Sequence, residues 1–183
     1  MGPTLVIELA ERPSWTVLDE FHALLRELST HCEQSRPWLF DVLVPLERLG
    51  LATPAAGTAY DGVASFLVHV LGPGLGDVDI FEAEHADDEP EVRALLGFTP
   101  THAVNVSADC NRPVDHMATA LLTAAIAEVL GGVAEAELPG TQVAVVSGLP
   151  GVRGVVGGDV PTALGSAEFL RAWVVRPGFH LLK

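Results

Sequence analysis

Between residues 109 and 116 the chain reads Asp109-Cys110-Asn111-Arg112-Pro113-Val114-Asp115-His116. This short segment holds two carboxylates, a carboxamide, a thiol, a guanidinium and an imidazole, in a protein of which only 19% is charged. A cysteine nucleophile needs a base within hydrogen-bond reach and a third group to orient that base. Cys110, His116 and Asp115 or Asp109 supply those residue types. His116 lies six residues beyond the thiol, about one turn into any helix begun at Pro113, and no family-specific catalytic motif surrounds Cys110. The competing reading is structural: a small thiol at a strand end followed by the polar start of a helix.

A metal offers a second use for the same groups. His31-Cys32 together with Cys110 and His116 has the ligand count of a zinc site. If the first strands of two similar halves pack parallel, however, these pairs fall at opposite ends of a helix about 22 Å long. Zinc is therefore not expected, and neither is a Cys32–Cys110 disulfide, because a lone pair of cysteines in a sizeable domain is better read as reduced thiols.

The second concentration of charge is Asp77, Asp79, Glu82, Glu84, Asp87, Asp88, Glu89 and Glu91, eight carboxylates in fifteen residues. Self-repulsion predicts an extended segment unless a cation or a basic partner neutralises it. An EF-hand beginning at Asp77 would require an oxygen ligand at 81 and glycine at 82, where Phe81 and Glu82 stand. The glycine-rich stretch Gly148–Gly158 lacks the Gly-Lys-Ser/Thr of a phosphate-binding loop. No metal and no cofactor are expected.

The elements that must position these groups follow from hydropathy patterning. Thr4–Ala10 reads as a strand, followed by a helix bearing Val17, Leu18, Phe21, Leu24, Leu25 and Leu28 on one face. His102–Ala108 alternates as a second strand and leads through Asn111-Arg112-Pro113 into a helix ending at Gly131-Gly132. Arg12-Pro13 and Arg112-Pro113 occupy the same strand-to-helix position one hundred residues apart, which suggests two related β-α-β halves. Asn111 or Asp109 is expected to cap the second helix, with Asp115 facing the positive end of its dipole. Further strands are expected at Trp38–Val44, Val133–Leu138, Gln142–Ser147 and Val152–Val156, and helices at Tyr60–Leu71, at Glu91–Leu96 and, capped by Ser166, at Ala167–Val175.

Composition bounds the partners. With 183 residues, 49% of them hydrophobic, the chain can bury one substantial core, expected as a single domain 1–183 with an N-terminal half (1–50), an irregular acidic connection (51–100) and a C-terminal half (101–183). Twenty-four acidic against ten basic residues give a formal charge of −14. That balance disfavours nucleic acid or an anionic membrane as a partner. No basic leader precedes Glu8 and no run reaches the length of a membrane span, so a cytoplasmic protein is expected.

The segments Leu95-Leu96-Gly97-Phe98-Thr99-Pro100, Ser107-Ala108-Asp109-Cys110-Asn111 with Val114-Asp115-His116, and Glu168-Phe169-Leu170-Arg171-Ala172-Trp173 with Pro177 and Phe179-His180-Leu181-Leu182-Lys183 together resemble an uncharacterised family of small acidic bacterial proteins. The resemblance covers roughly the second half of the chain and brings no catalytic residues with it. Around Val155–Thr162 the chain departs from the family pattern, which has an aromatic or longer strand there. In size and acidity it is similar to immunity proteins that neutralise toxins delivered between bacteria, an analogy of class.

The expected fold is α+β: two β-α-β-like halves forming a mixed or antiparallel sheet, helices on one face and a docked C-terminal helix. The expected function is that of a non-enzymatic acidic binding protein, an immunity protein masking a basic toxin through Asp77, Asp79, Glu82, Glu84, Asp87, Asp88 and Glu89. The alternatives are a cysteine-dependent hydrolase or transferase using Cys110, His116 and Asp115, and a homodimeric scaffold.

Overall fold

The computed structural model describes residues 2–52, 62–85 and 90–182. In chain order it contains β1 (Thr4–Leu9), α1 (Trp15–Leu28), β2 (His31–Arg36), β3 (Leu39–Pro45), β4 (Val63–Leu71), α2 (Val78–His85), α3 (Pro90–Leu96), β5 (His102–Ala108), α4 (Pro113–Leu130), β6 (Val133–Glu137), α5 (Val143–Val146), β7 (Val152–Val156), β8 (Thr162–Gly165) and α6 (Ala167–Val174). The eight strands form one sheet in the order β2-β3-β4-β5-β1-β6-β8-β7. Every neighbouring pair is antiparallel, so the α+β expectation holds with the sheet wholly antiparallel.

The two halves interlock. β5 and β6 both run antiparallel to β1 and flank it, so β5-α4-β6 is a β-α-β unit with the first strand of the chain inserted through its middle. The first strands β1 and β5 therefore pair antiparallel, in the register Thr4↔Ser107 to Leu9↔His102, and not parallel. The β1-α1-β2 connection is wider, with β5, β4 and β3 lying between its two strands.

Period-two alternation decides which side of the sheet is core. Leu5, Ile7, Val104, Val106, Val68, Phe66 and Val42 point to one face and join a single cluster with Phe21 and Leu25 of α1, Leu122 and Ile126 of α4, and Phe169, Leu170 and Trp173 of α6. α4 is the centre of this layer, packed between α1, α6 and the sheet. By length and composition it is the one described helix apolar enough to cross a bilayer, and more than half of it is buried inside the protein. The expected placement of helices on one face holds for α1, α4 and α6 and not for α2 and α3. The short helices α2 and α3 add to the opposite face, where Phe81 packs on Leu71 and Ala103, and Val92 and Leu96 pack on Val133 and Leu164.

Several local expectations are corrected. Tyr60 and Asp61 lie outside the described residues, and the rest of the helix expected at Tyr60–Leu71 is the strand β4. Its two polar residues, Ser65 and His69, stand four apart and fit a helix face as well as one side of a strand, but Ala64, Phe66, Val68 and Val70 are the buried set, which is alternation. β-branched valines between β3 and β5 favour that outcome. The strand expected at Gln142–Ser147 is a 3-10 turn at Gly140–Gln142 followed by α5. Here the Gln142 side chain decides the path: its Oε1 accepts from Trp173 Nε1 at 2.5 Å and its Nε2 donates to the Gly178 carbonyl. β2 and β8 carry no apolar alternation strong enough to announce them, and β2 is an edge strand exposed along most of its length.

Candidate functional site

The segment from Asp109 to His116 is a helix start. Arg112 N donates to Asp115 Oδ2 at 2.8 Å, and its guanidinium holds the same carboxylate through Nε (2.8 Å) and Nη2 (2.7 Å). Asp115, and not Asn111 or Asp109, is therefore the side chain that reaches back to close the N-terminus of α4. Asp109 is exposed and accepts from the Ser65 hydroxyl across the sheet end.

His116 is buried, at 1% exposure. Its Nδ1 accepts the backbone N–H of Leu181 at 3.2 Å, and its ring stacks on His180 with centroids 4.1 Å apart. Cys110 is exposed. The imidazole thus anchors the C-terminal segment, Asp115 is committed to Arg112, and the thiol stands in solvent.

The four candidate zinc ligands do lie at one end of the sheet, because β2 and β5 run in opposite directions; the expectation of opposite ends is overturned. They remain separated, since β3 and β4 stand between β2 and β5 and three strand spacings amount to about 14 Å. That span also exceeds the reach of a disulfide, and both cysteines are free. Burial pushes the Cys32 thiol up, the opposite of what a reactive thiolate needs. Among the described residues no three His, Cys, Asp or Glu side chains converge on a common metal position.

Of the acidic stretch, Asp87, Asp88 and Glu89 lie outside the described residues. The first part is not extended but helical. Asp77 Oδ1 accepts the Ile80 N–H at 3.3 Å and opens α2, while Phe81 buries beneath it. Burial of one aromatic face and a capped start outweigh the repulsion among carboxylates that all point outward. Asp79, Glu82 and Glu84 are exposed on this helix, and Glu84 Oε2 accepts from Asn105 Nδ2 of β5 at 3.0 Å. The helix is thereby tied down beside the open part of the sheet.

That open part contains further carboxylates, outside the acidic stretch. On the face opposite α4, β1 presents Thr4, Val6 and Glu8, and β6 presents Val133, Glu135 and Glu137, with Val6 paired to Glu135. Thr4, Val6, Glu135 and Glu137 line a depression of about 160 Å³. Thr4 and Ser107 join hydroxyls across its edge at 2.9 Å. The floor continues over half-buried Leu67 and Leu39 to Leu43, which is 38% exposed. The alternation Val133-Ala134-Glu135-Ala136-Glu137 signals two glutamates on one face, but only the pairing with β1 shows which residues join them.

Charged rims over a partly apolar sheet floor can hold a protein surface of opposite charge. No curated protein and no solved structure matches this chain. The motif resemblance seen in the second half extends further: the match to the family of unknown function DUF6368 spans residues 1–183, and the chain belongs to that family.

Proposed function

We propose that the protein is a non-enzymatic binding protein that captures a basic protein, in the manner of an immunity protein bound to a toxin, on the open sheet face beside α2. The observation that carries this reading is the acidic exposed side of α2 beside a depression lined by Thr4, Val6, Glu135 and Glu137, with Glu137 exposed on its rim. The apolar floor supplies contact area, while the surrounding carboxylates steer a basic partner and reject acidic ones. The net charge of −14 acts in the same direction at long range.

The test is capture from the native host, followed by association kinetics with the recovered protein. A basic partner should bind with a rate that falls steeply with salt, and the pair Glu135→Lys and Glu137→Lys should slow association about tenfold. Recovery of no basic protein, or association indifferent to both substitutions, sinks the reading.

The cysteine-enzyme alternative has weaker support, because His116 serves the Leu181 amide and Asp115 serves Arg112. An alkylation rate of Cys110 at neutral pH far above that of a free small thiol would revive it. A homodimer built through β2 would have to pair an edge carrying His31, Glu33 and Arg36, charges of the kind that discourage strand addition. Sedimentation of the purified protein decides that point.

A further inference from the structure

At the tip of the β2–β3 hairpin the same sheet face forms a separate cleft of about 370 Å³, a size typical of small-ligand pockets. Its walls bring together Arg36 from the end of β2, His69 from β4 and Asp77 from the start of α2, with Leu39, Leu75 and Ile80 as the apolar lining. Among the described residues the Arg36 guanidinium has no ion pair or hydrogen bond. Arg36 is exposed at the rim of the cleft, so its guanidinium is open to a ligand. Asp77 spends one oxygen on the Ile80 N–H and retains the other.

Two backbone features hold this cleft in shape. Trp38 adopts φ +60, the left-handed region that disfavours a bulky side chain, directly after Pro37. The turn persists because the Trp38 ring stacks on His22 with centroids 5.3 Å apart on the α1 side of the sheet, which leaves Arg36 and Leu39 to wall the cleft on the other. On the facing wall, a Cβ at Gly76 would overlap the Val70 carbonyl oxygen, so only glycine lets the loop before α2 lie so close to β4. Positive φ is what a tight turn asks of the residue that follows Pro37, so both features set the shape of the cleft.

We infer that this cleft binds a small zwitterion, an α-amino acid with an apolar side chain. The carboxylate pairs with Arg36, the ammonium with the free oxygen of Asp77, and the side chain lies on Leu39, Leu75 and Ile80. The His69 ring between them contributes a neutral polar contact. Both charges on the ligand are needed, because a lone cation meets Arg36 and a lone anion meets Asp77. Occupancy of the cleft does not depend on a basic protein partner.

Calorimetry on the full chain with leucine and phenylalanine tests this, with 4-methylpentanoate as the analogue lacking the ammonium and isopentylamine as the one lacking the carboxylate. The amino acids are expected to bind in the millimolar range or tighter, and each analogue at least tenfold more weakly. Arg36→Gln and Asp77→Asn are expected to weaken binding at least tenfold while far-UV circular dichroism stays unchanged, since Asn at 77 keeps an acceptor for the Ile80 N–H. The inference is overturned if no apolar amino acid binds at about 10 mM, if an analogue binds as well as the amino acid, or if folded Arg36→Gln binds like the wild type.

Discussion

The Leu181 amide donates to His116 Nδ1 at 3.2 Å, so the imidazole that stands nearest in sequence to an exposed thiol is a fastening for the end of the chain. Both residues are almost fully buried, at 1% exposure each. His116→Phe keeps an aromatic ring in place but leaves the Leu181 N–H buried and unpaired, which costs about 1–3 kcal/mol. A fall in the urea midpoint with unchanged slope, together with faster hydrogen exchange at residues 178–182, is the expected result. Cys110→Ser, at an exposed position, should change stability by less than about 0.5 kcal/mol. Equal stability of His116→Phe and wild type would remove the anchoring role.

Arg112 and Arg171 both form ion pairs, yet their substitutions should differ severalfold in effect. Arg112 neutralises Asp115, which is 1% exposed, whereas Arg171 meets Glu128 at 2.6 Å in an exposed pair. Removing Arg112 leaves a buried carboxylate uncompensated, a loss of about 3 kcal/mol. Arg171→Ala should cost less than about 1 kcal/mol. Denaturant melts of the two variants provide the comparison, and equal losses would contradict the assignment of Asp115 as the N-terminal tie of α4.

Trp38 gives a test with an unusual order. Trp38→Ala loses the stack on His22 but retains a Cβ at φ +60, whereas Trp38→Gly loses the same stack and relieves the backbone. Glycine should therefore be the more stable of the two by about 1 kcal/mol, the reverse of the order in an ordinary strand or helix. Thermal unfolding of both variants reads this directly.

The His69 imidazole is held below its ordinary range by burial, with Arg36 adding to the effect and Asp77 and Glu84 opposing it. A lowered value in the folded state means that the unfolded chain takes up a proton first. The associated stability is complete above the unfolded value near 6.5 and is lost as pH falls from there toward the folded value. His22 is lowered chiefly by burial as well and adds to the same loss. In an NMR titration Arg36→Gln should raise the His69 midpoint and Asp77→Asn should lower it. Shifts of the opposite signs would show that these two groups do not flank the ring.

Much of the layout follows from local pattern. The amphipathic spacing of α1 and α6, the alternation in β1, β5 and β6, and the Gly131 stop after α4 depend on neighbours within one or two turns, so composition and period are enough to locate them. β4 is different, because its polar Ser65 and His69, four residues apart, fit either period until β3 and β5 supply hydrogen-bonding partners on both sides. β2 is polar and exposed, and it exists as a strand only because β3 offers it an edge.

The site divides the same way. The density of carboxylates on α2 and the polar start of α4 are visible in the chain itself, since residue type and short spacing determine both. That Asp115 belongs to Arg112, that His116 holds Leu181, and that Arg36, His69 and Asp77 surround one cleft were decided by tertiary structure. The last grouping rests on the register that pairs Leu39 with His69, and register is set by burial of a whole sheet face, a quantity no local window contains.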